Sequence, residues 1–401
     1  MGSDHEGKRA VEMLELRTAL PIAQVSGIKI RIHWSWLLIF ILVSWFLADD
    51  YFAETFTGWS TRTRWLAGIV TALLLFVSVL THELAHALVA RRYGVSVQSI
   101  TLFIFGGVSS LTEELRTPRQ EFLVAAAGPI TSWVLAMLFG ALWAVTRPED
   151  VATVFAYLAW TNLVLGAFNL VPGFPLDGGR VLRSTIWART NNLVHATRVA
   201  AGAGTMVAYA LITIGIVNIL LFGLVGGLWL ILIGLFLQGA ADLGYLQVRM
   251  RAAMEDVDVA TVMRRSPEAV PATTTLEAFV HDRVFTSGDH VYFVVDRGDV
   301  EGIVSATDVL RVPRAEWPQT HIRAVMTPTS GAPTVSPSTG LIEAVRLMQE
   351  HDAPQLPVMT NGRVVGLLSL RDVFRHIELR TLLEDDEQWQ PPRVVAPQPT
   401  T

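Results

Sequence analysis

From Val199 to Ala241 the chain carries no charged side chain. As one helix that run would reach about 65 Å at ~1.5 Å per residue, roughly twice the thickness of a bilayer's hydrocarbon core. It therefore has to fold as two membrane spans, turning near Phe222–Gly227. Phe122 to Thr146 and Val151 to Leu176 are also uncharged and each is long enough to cross. Trp34–Ala48 and Trp65–Ala90 complete a set of six. Trp65–Ala90 carries His82, Glu83 and His86, which a helix facing only lipid would not tolerate.

Composition agrees with a membrane protein. The 401 residues are 51% hydrophobic and 17% charged, where soluble domains carry charge on about a quarter of their residues. The net charge of −5 makes no electrostatic case for nucleic acid. With no cysteine in the chain, disulfides, thiolate zinc ligands and thiol catalysis are all excluded, so a metal would be held by His and carboxylates. The first 30 residues mix charges and lack an apolar stretch with a cleavage site, so no cleaved signal peptide is expected.

Basic residues orient the bundle. Lys8, Arg9, Arg17, Lys29 and Arg31 precede the first span. Arg91, Arg92, Arg116 and Arg119 follow the second, and Arg180, Arg183, Arg189 and Arg198 follow the fourth; the opposite loops hold only Arg62, Arg64 and Arg147. Both termini are expected in the cytosol. The domain plan is a cytosolic N-terminal segment (1–30), a six-helix membrane domain (31–250), two soluble repeats (251–315 and 316–384) and a disordered tail (385–401). Between the second and third spans, Val97–Leu111 alternates polar and apolar residues and ends near Gly106-Gly107, which predicts strands. They form either a small sheet whose free edge meets an extended substrate or an ordinary hairpin packed on the bundle.

The chemistry centres on His82-Glu83-Leu84-Ala85-His86. On a helix, residues i and i+4 share a face, so both imidazoles can reach one metal ion, with Glu83 beside them to accept a proton. If Trp65 marks the outer interface, His82 lies about 25 Å further along the helix, nearer the cytosolic side. Catalytic zinc takes three protein ligands, and the third must here be His, Asp or Glu. Asp177 follows the helix-breaking run from Pro172 to Pro175 and precedes Gly178-Gly179-Arg180. Spacing alone leaves Asp177 between a metal ligand and an N-cap of the segment that follows. His33 and His195 each stand alone near an interface, where a structural or snorkelling role is the simpler reading.

These two motifs, His82-Glu83-Leu84-Ala85-His86 and Asn169-Leu-Val-Pro172 leading to Leu176-Asp177-Gly178, resemble those of the site-2 proteases, the intramembrane zinc metalloproteases, in the branch carrying cystathionine-β-synthase (CBS) domains. Gly106-Gly107 and Gly128-Pro129 also resemble family positions. The resemblance implies one Zn2+ on His82, His86 and Asp177, with Glu83 as general base. It also implies that Asn169 steadies the developing oxyanion or the substrate backbone. Substrates would be single-pass membrane proteins such as anti-sigma factors, or signal-peptide remnants, cut in the lipid environment, and a homodimer is compatible with the family.

Past Arg249 the composition becomes that of a soluble domain. Val262-Met263-Arg264 matches Val325-Met326-Thr327, and Gly302-Ile-Val-Ser305-Ala-Thr-Asp308 matches Gly366-Leu-Leu-Ser369-Leu-Arg-Asp372. An internal repeat of this length means two copies of one α/β unit. It looks like a tandem CBS pair. By that resemblance Ser305, Asp308, Ser369 and Asp372 would hold the ribose of ATP or AMP, with Thr307 and Arg371 near the phosphates. Read from the residues alone, Ser and Asp at a helix start are local caps. The fold expected is thus a polytopic α-helical membrane protein with about six transmembrane helices, a short membrane-associated β-sheet and a cytosolic α/β tandem CBS module. A CBS-regulated transporter or channel is the competing reading, and it leaves the His-Glu-x-x-His motif unexplained.

Overall fold

The structure, a computed structural model, describes residues 19–104, 106–111, 115–265, 269–284, 291–297, 299–329, 333–361 and 363–384. The tail 385–401 and the first 18 residues, with Lys8, Arg9 and Arg17, lie outside the described residues. The chain divides into two compact units, Met1–Leu246 and Gln247–Thr401.

In the first unit, β1 (Leu20–Val25) and β2 (Ile28–Ile32) form a hairpin ahead of α1 (Trp34–Phe46). Next come α2 (Thr61–Arg92), β3 (Val97–Phe103), β4 (Gly106–Leu111), α3 (Pro118–Val145), α4 (Glu149–Asn169), α5 (Asp177–Thr190), α6 (Leu193–Phe222) and α7 (Leu224–Met254), whose residues from Gln247 on belong to the second unit. Among the described residues six helices are long and apolar enough to cross a membrane, the first running on to Thr55 through a π-helical turn. The uncharged run after Val199 divides at Gly223, whose φ of 108° ends α6. The expected fourth span is shorter than its uncharged run, because α4 stops at Asn169 and residues 170–176 form a loop before α5. Pro172 and Pro175 account for the break, since neither can donate to a helical ladder.

The bundle is packed with its polar side chains inward. Ser44, Thr71, Ser78, Ser132 and Asn162 are buried, whereas Leu38, Ile41, Met137, Leu138, Trp160 and Leu220 are exposed. With lipid outside, burying Leu yields no hydrophobic gain, and polar groups do better against other helices. Asn162 Nδ2 donates to Ser78 Oγ across the bundle at 3.2 Å.

The sheet is larger than the sequence predicts. Its order is β1-β2-β3-β4, with β2 and β3 parallel and the outer pairs antiparallel. Leu20–Ile32 thus belongs to this sheet, although its residues read as a charged N-terminal segment. The missed signal is Ser26-Gly27, at φ 51° and 82°, the pair of positive φ values that a two-residue hairpin turn requires. Ile28, Val97 and Ile100 of the sheet pack on Ala87, Ala90 and Val124, so the sheet sits at the Arg91-Arg92 end of α2.

The second unit holds both repeats. The first has the sheet β5 (Ala269–Pro271), β6 (Val291–Asp296), β7 (Asp299–Ser305) and β8 (Thr327–Pro328). The second has the pair β9 (Gln355–Thr360) and β10 (Arg363–Ser369), flanked by helices Leu341–Glu350 and Leu370–Glu384. The repeats exchange their leading segments. Thr327, from the start of the second copy, pairs with Ile303 of the first. Arg264, from the start of the first copy, bridges to Leu367 of the second. The cores follow suit, with Ala253, Val257 and Val259 packed among Leu341, Val358 and Leu368, and with Val325 and Met326 packed against the core of Val270, Tyr292 and Val304. Gly302 and Gly366 mark the two crossings. A Cβ on Gly366 would lie 2.8 Å from both the Arg264 carbonyl oxygen and Met263 Sδ. Gly366→Ala is expected to cost about 1–3 kcal/mol through overpacking, read as a lower unfolding midpoint of the C-terminal module.

Candidate metal centre

His82 and His86 stand one turn apart on α2, whose start is capped by Ser60 and whose last turn carries Arg91 and Arg92. Asp177 reaches them from α5. It is the first residue of that helix, not its cap, since Leu176 holds the N-cap position and makes no side-chain capping bond. The Asp177 carboxylate turns instead to the histidines. Nε2 of His82 and Nε2 of His86 each lie 3.1 Å from Asp177 Oδ2, and 3.2 Å from one another. All three residues are buried. Among the described residues they are the one cluster of three or more His, Asp or Glu side chains spaced to hold a metal.

The far side of each ring is also fixed. His86 Nδ1 is 2.7 Å from the Val124 carbonyl oxygen. A carbonyl can only accept, so the proton of the neutral ring sits on Nδ1 and Nε2 presents a bare lone pair. His82 Nδ1 meets Ser132 Oγ at 2.9 Å. Lone pairs of His86 and Asp177 therefore converge in a buried space, an arrangement that repels itself without a cation. Tetrahedral zinc with bonds of about 2.0–2.2 Å sets its ligand atoms ~3.3 Å apart, close to the spacing here. The donor set and the geometry fit Zn2+.

Glycine clears the space. A Cβ on Gly128 of α3 would overlap Nε2 of both His82 and His86. On the other side Gly107 of β4 lies against Glu83, where a Cβ would come within 2.8 Å of its Cδ. Glu83 is half-buried, and among the described residues its carboxylate has no hydrogen-bond or ion-pair partner. It sits beside the cluster, next to a strand that forms the sheet's edge.

The other predicted residues fall as follows. Asn169, the last residue of α4, donates from Nδ2 to the Leu165 carbonyl at 3.0 Å and makes no hydrogen bond to the cluster. His33 caps α1 through Ser35, and His195 is held at the start of α6 by Asn192. Neither joins the metal centre. Ser305 and Asp308 form a reciprocal capping box at the helix start after β7. Asp372 accepts from Ser369 Oγ and from Arg264 Nε, which lies 3.0 and 3.2 Å from its two oxygens. The two turns thus share their Ser–Asp bond but not their surroundings, because only Asp372 meets an arginine brought in by the exchanged segment.

The sequence reading missed Ser132, the Val124 carbonyl and Glu121. Glu121 is buried at the start of α3, where its Oε1 accepts from Arg183 Nε of α5 at 2.7 Å. A buried polar stripe through Glu121, Gly128 and Ser132 at helical spacing could have pointed to them.

Residues 70–149 and 145–213 match the model of Peptidase family M50, and residues 258–315 and 322–379 each match the CBS domain. Rip3 of Mycobacterium tuberculosis is 37% identical over 378 residues, covering 92% of this chain and 96% of that protein. MJ0392 of Methanocaldococcus jannaschii is 26% identical over 375 residues, covering 92% of this chain and 98% of that protein. Both carry zinc metalloprotease in their names. A solved site-2 protease from M. jannaschii covers 56% of this chain and 94% of its own at 26% identity, with a TM-score of 0.41.

Gly128→Ala tests the geometry directly. Alanine in a helix interior is ordinarily favoured over glycine by about 0.5–1 kcal/mol, so helix propensity opposes any loss. The variant is expected to lose stoichiometric zinc while keeping its helix content, read by metal analysis beside circular dichroism.

Proposed function

Because the chain belongs to peptidase family M50, the zinc metalloproteases of site-2 type, and is a multi-pass membrane protein with two CBS domains, we propose that it cuts membrane-anchored substrates within or beside their transmembrane helices. The observation that carries this is the buried convergence of His82, His86 and Asp177 beside an unpartnered Glu83. Family membership also sets aside the transporter or channel.

In this reading His82, His86 and Asp177 hold the zinc. When bound, zinc supplies a Lewis acid that polarises the scissile carbonyl and lowers the pKa of water toward about 7. The residues do the rest. His86 keeps its Nε2 lone pair free because its Nδ1–H donates to the Val124 carbonyl. Glu83 takes a proton from the attacking water on its carboxylate and delivers it to the leaving amine nitrogen. Asn169 has a second amide N–H besides the one bonded to Leu165, and this one is assigned to the substrate backbone or the developing oxyanion. A helical substrate hides its carbonyls in i to i−4 bonds and has to unwind before attack. The edge strand β4, passing Glu83 at Gly107, suits the extended segment that results, since main-chain bonds to a free edge hold it without regard to side chains. Single-pass proteins such as anti-sigma factors, or signal-peptide remnants, fit that requirement, as parts of regulated intramembrane proteolysis. The basic loops favour cytosolic termini, and a homodimer is compatible with this reading.

The CBS pair is assigned a regulatory role, with an adenine nucleotide as its ligand. Asp308 is the better ribose site of the two. Arg264 already occupies both oxygens of Asp372, while Arg311 beside Asp308 is solvent-exposed at 3.5 Å.

Two experiments follow. Detergent-purified wild type is expected to hold one zinc per chain. Glu83→Gln should keep that metal and lose cleavage of a membrane-helix substrate by at least about 100-fold, the scale of a general base. Asp177→Ala should lose both. No stoichiometric zinc in the wild type, or full activity in Glu83→Gln, would sink the reading. For the second unit, ATP and AMP are titrated with thermal shift and cleavage rate as readouts. A response abolished by Asp308→Asn is expected, and no response to either nucleotide would leave the pair as an assembly element.

A further inference from the structure

Helix α3 contributes no ligand, yet one of its faces holds both histidines of the metal centre. Along that face the Val124 carbonyl takes His86 Nδ1, Gly128 opens room for both Nε2 atoms, and Ser132 takes His82 Nδ1. One turn before Val124 stands Glu121, whose side chain is 3% exposed. Its Oε1 accepts from both Nε and Nη2 of Arg183, with Arg180 Nε 4.0 Å away. Arg183 and Arg180 belong to α5, the helix that begins at Asp177. The Arg183 guanidinium also lies over the Phe174 ring, 5.2 Å from its centroid, in the loop that delivers Asp177.

We infer that Glu121 and Arg183 are positioning residues for the third metal ligand: their ion pair locks α5 against α3 at the height and rotation that bring Asp177 Oδ2 to both histidines. The inference rests on the reading of His82, His86 and Asp177 as the zinc ligands. Its physical basis is tolerance. Metal–ligand distances hold to within about 0.2 Å, while α5 follows a loop broken by two prolines and its N-cap makes no side-chain bond. The two histidines share one helix and keep their spacing by themselves. Asp177 comes from a separate element, and its position relative to α2 has to be imposed through a third. A buried ion pair is a poor device for stability, because apolar side chains of the same volume often serve as well. Two charged N–H donors converging on one buried oxygen are directional, which makes the pair a good device for register.

The test uses the full chain in detergent, as wild type, Glu121→Gln, Arg183→Met and the double variant. Zinc affinity is read by competition with a chelator. The visible spectrum of the cobalt-substituted protein reports ligand geometry, and thermal unfolding in excess chelator reports the stability of the metal-free fold. Each single variant is expected to bind zinc about 10–100-fold more weakly, the usual cost of losing a supporting partner. The cobalt spectrum should be altered in all three variants, and in the double variant, which leaves neither side chain charged, the metal-free unfolding temperature should stay near that of wild type. The double variant should be no worse than the weaker single, since both substitutions break one link. Wild-type affinity and spectrum in both singles, or losses that merely track metal-free stability, would overturn the inference. A wild type that takes up no zinc would overturn the metal-centre reading and this inference with it.

Discussion

Lone pairs that share a space 3.1–3.2 Å across repel one another, and in a buried site no solvent relieves the repulsion. Much of the surrounding structure supplies the force that holds them together. Two imidazoles come from successive turns of α2, which fixes their spacing through the backbone alone. Each ring is then held at its far nitrogen, by a carbonyl and by a hydroxyl of α3. The carboxylate arrives from a helix that starts at Asp177 itself, so the start of the helix and the third candidate ligand occupy one residue. A bound cation would turn this repulsion into attraction.

The bilayer makes such a site affordable. In the bundle the usual economy of burial is reversed, with leucines and isoleucines facing outward and Ser44, Thr71, Ser78, Asn162 and Ser132 facing in. Within this interior Asn162 donates to Ser78 across the bundle, and the metal centre lies further along α2 toward its basic end. The sheet closes that end. Its last strand brings the backbone of Gly107 up to Glu83, where any side chain would collide, so the residue proposed as general base lies next to the sheet's edge strand.

The C-terminal unit shows a different constraint at work. Each repeat is completed by the leading segment of the other, through Thr327 on β7 and Arg264 on β10. Exchange makes the two copies interdependent, and it also makes them unequal. The segment crossing to Asp372 carries an arginine, and the one crossing to the first copy carries a threonine at the matching position. Two turns with the same Ser–Asp bond thereby acquire different surroundings.

How much of this could be read from the residues depends on the distance over which they act. Charge-free runs measured against the thickness of a bilayer determined the six spans, helical spacing determined that His82 and His86 share a face, and repetition of Gly-x-x-Ser-x-x-Asp determined two α/β copies. Each is a local pattern that backbone geometry translates without help. Spacing by itself left Asp177 between ligand and cap, because choosing between them needs the position of α2, and the tertiary structure brought the two together across 95 residues. The same holds for Ser132 and the Val124 carbonyl, 50 and 38 residues from their histidines, for the hairpin Leu20–Ile32 that joins the sheet, and for the exchanged segments of the repeats. No periodicity in a chain encodes which distant partner a side chain will meet. Packing decides that, and here it decided everything that turns two histidines and an aspartate into one site.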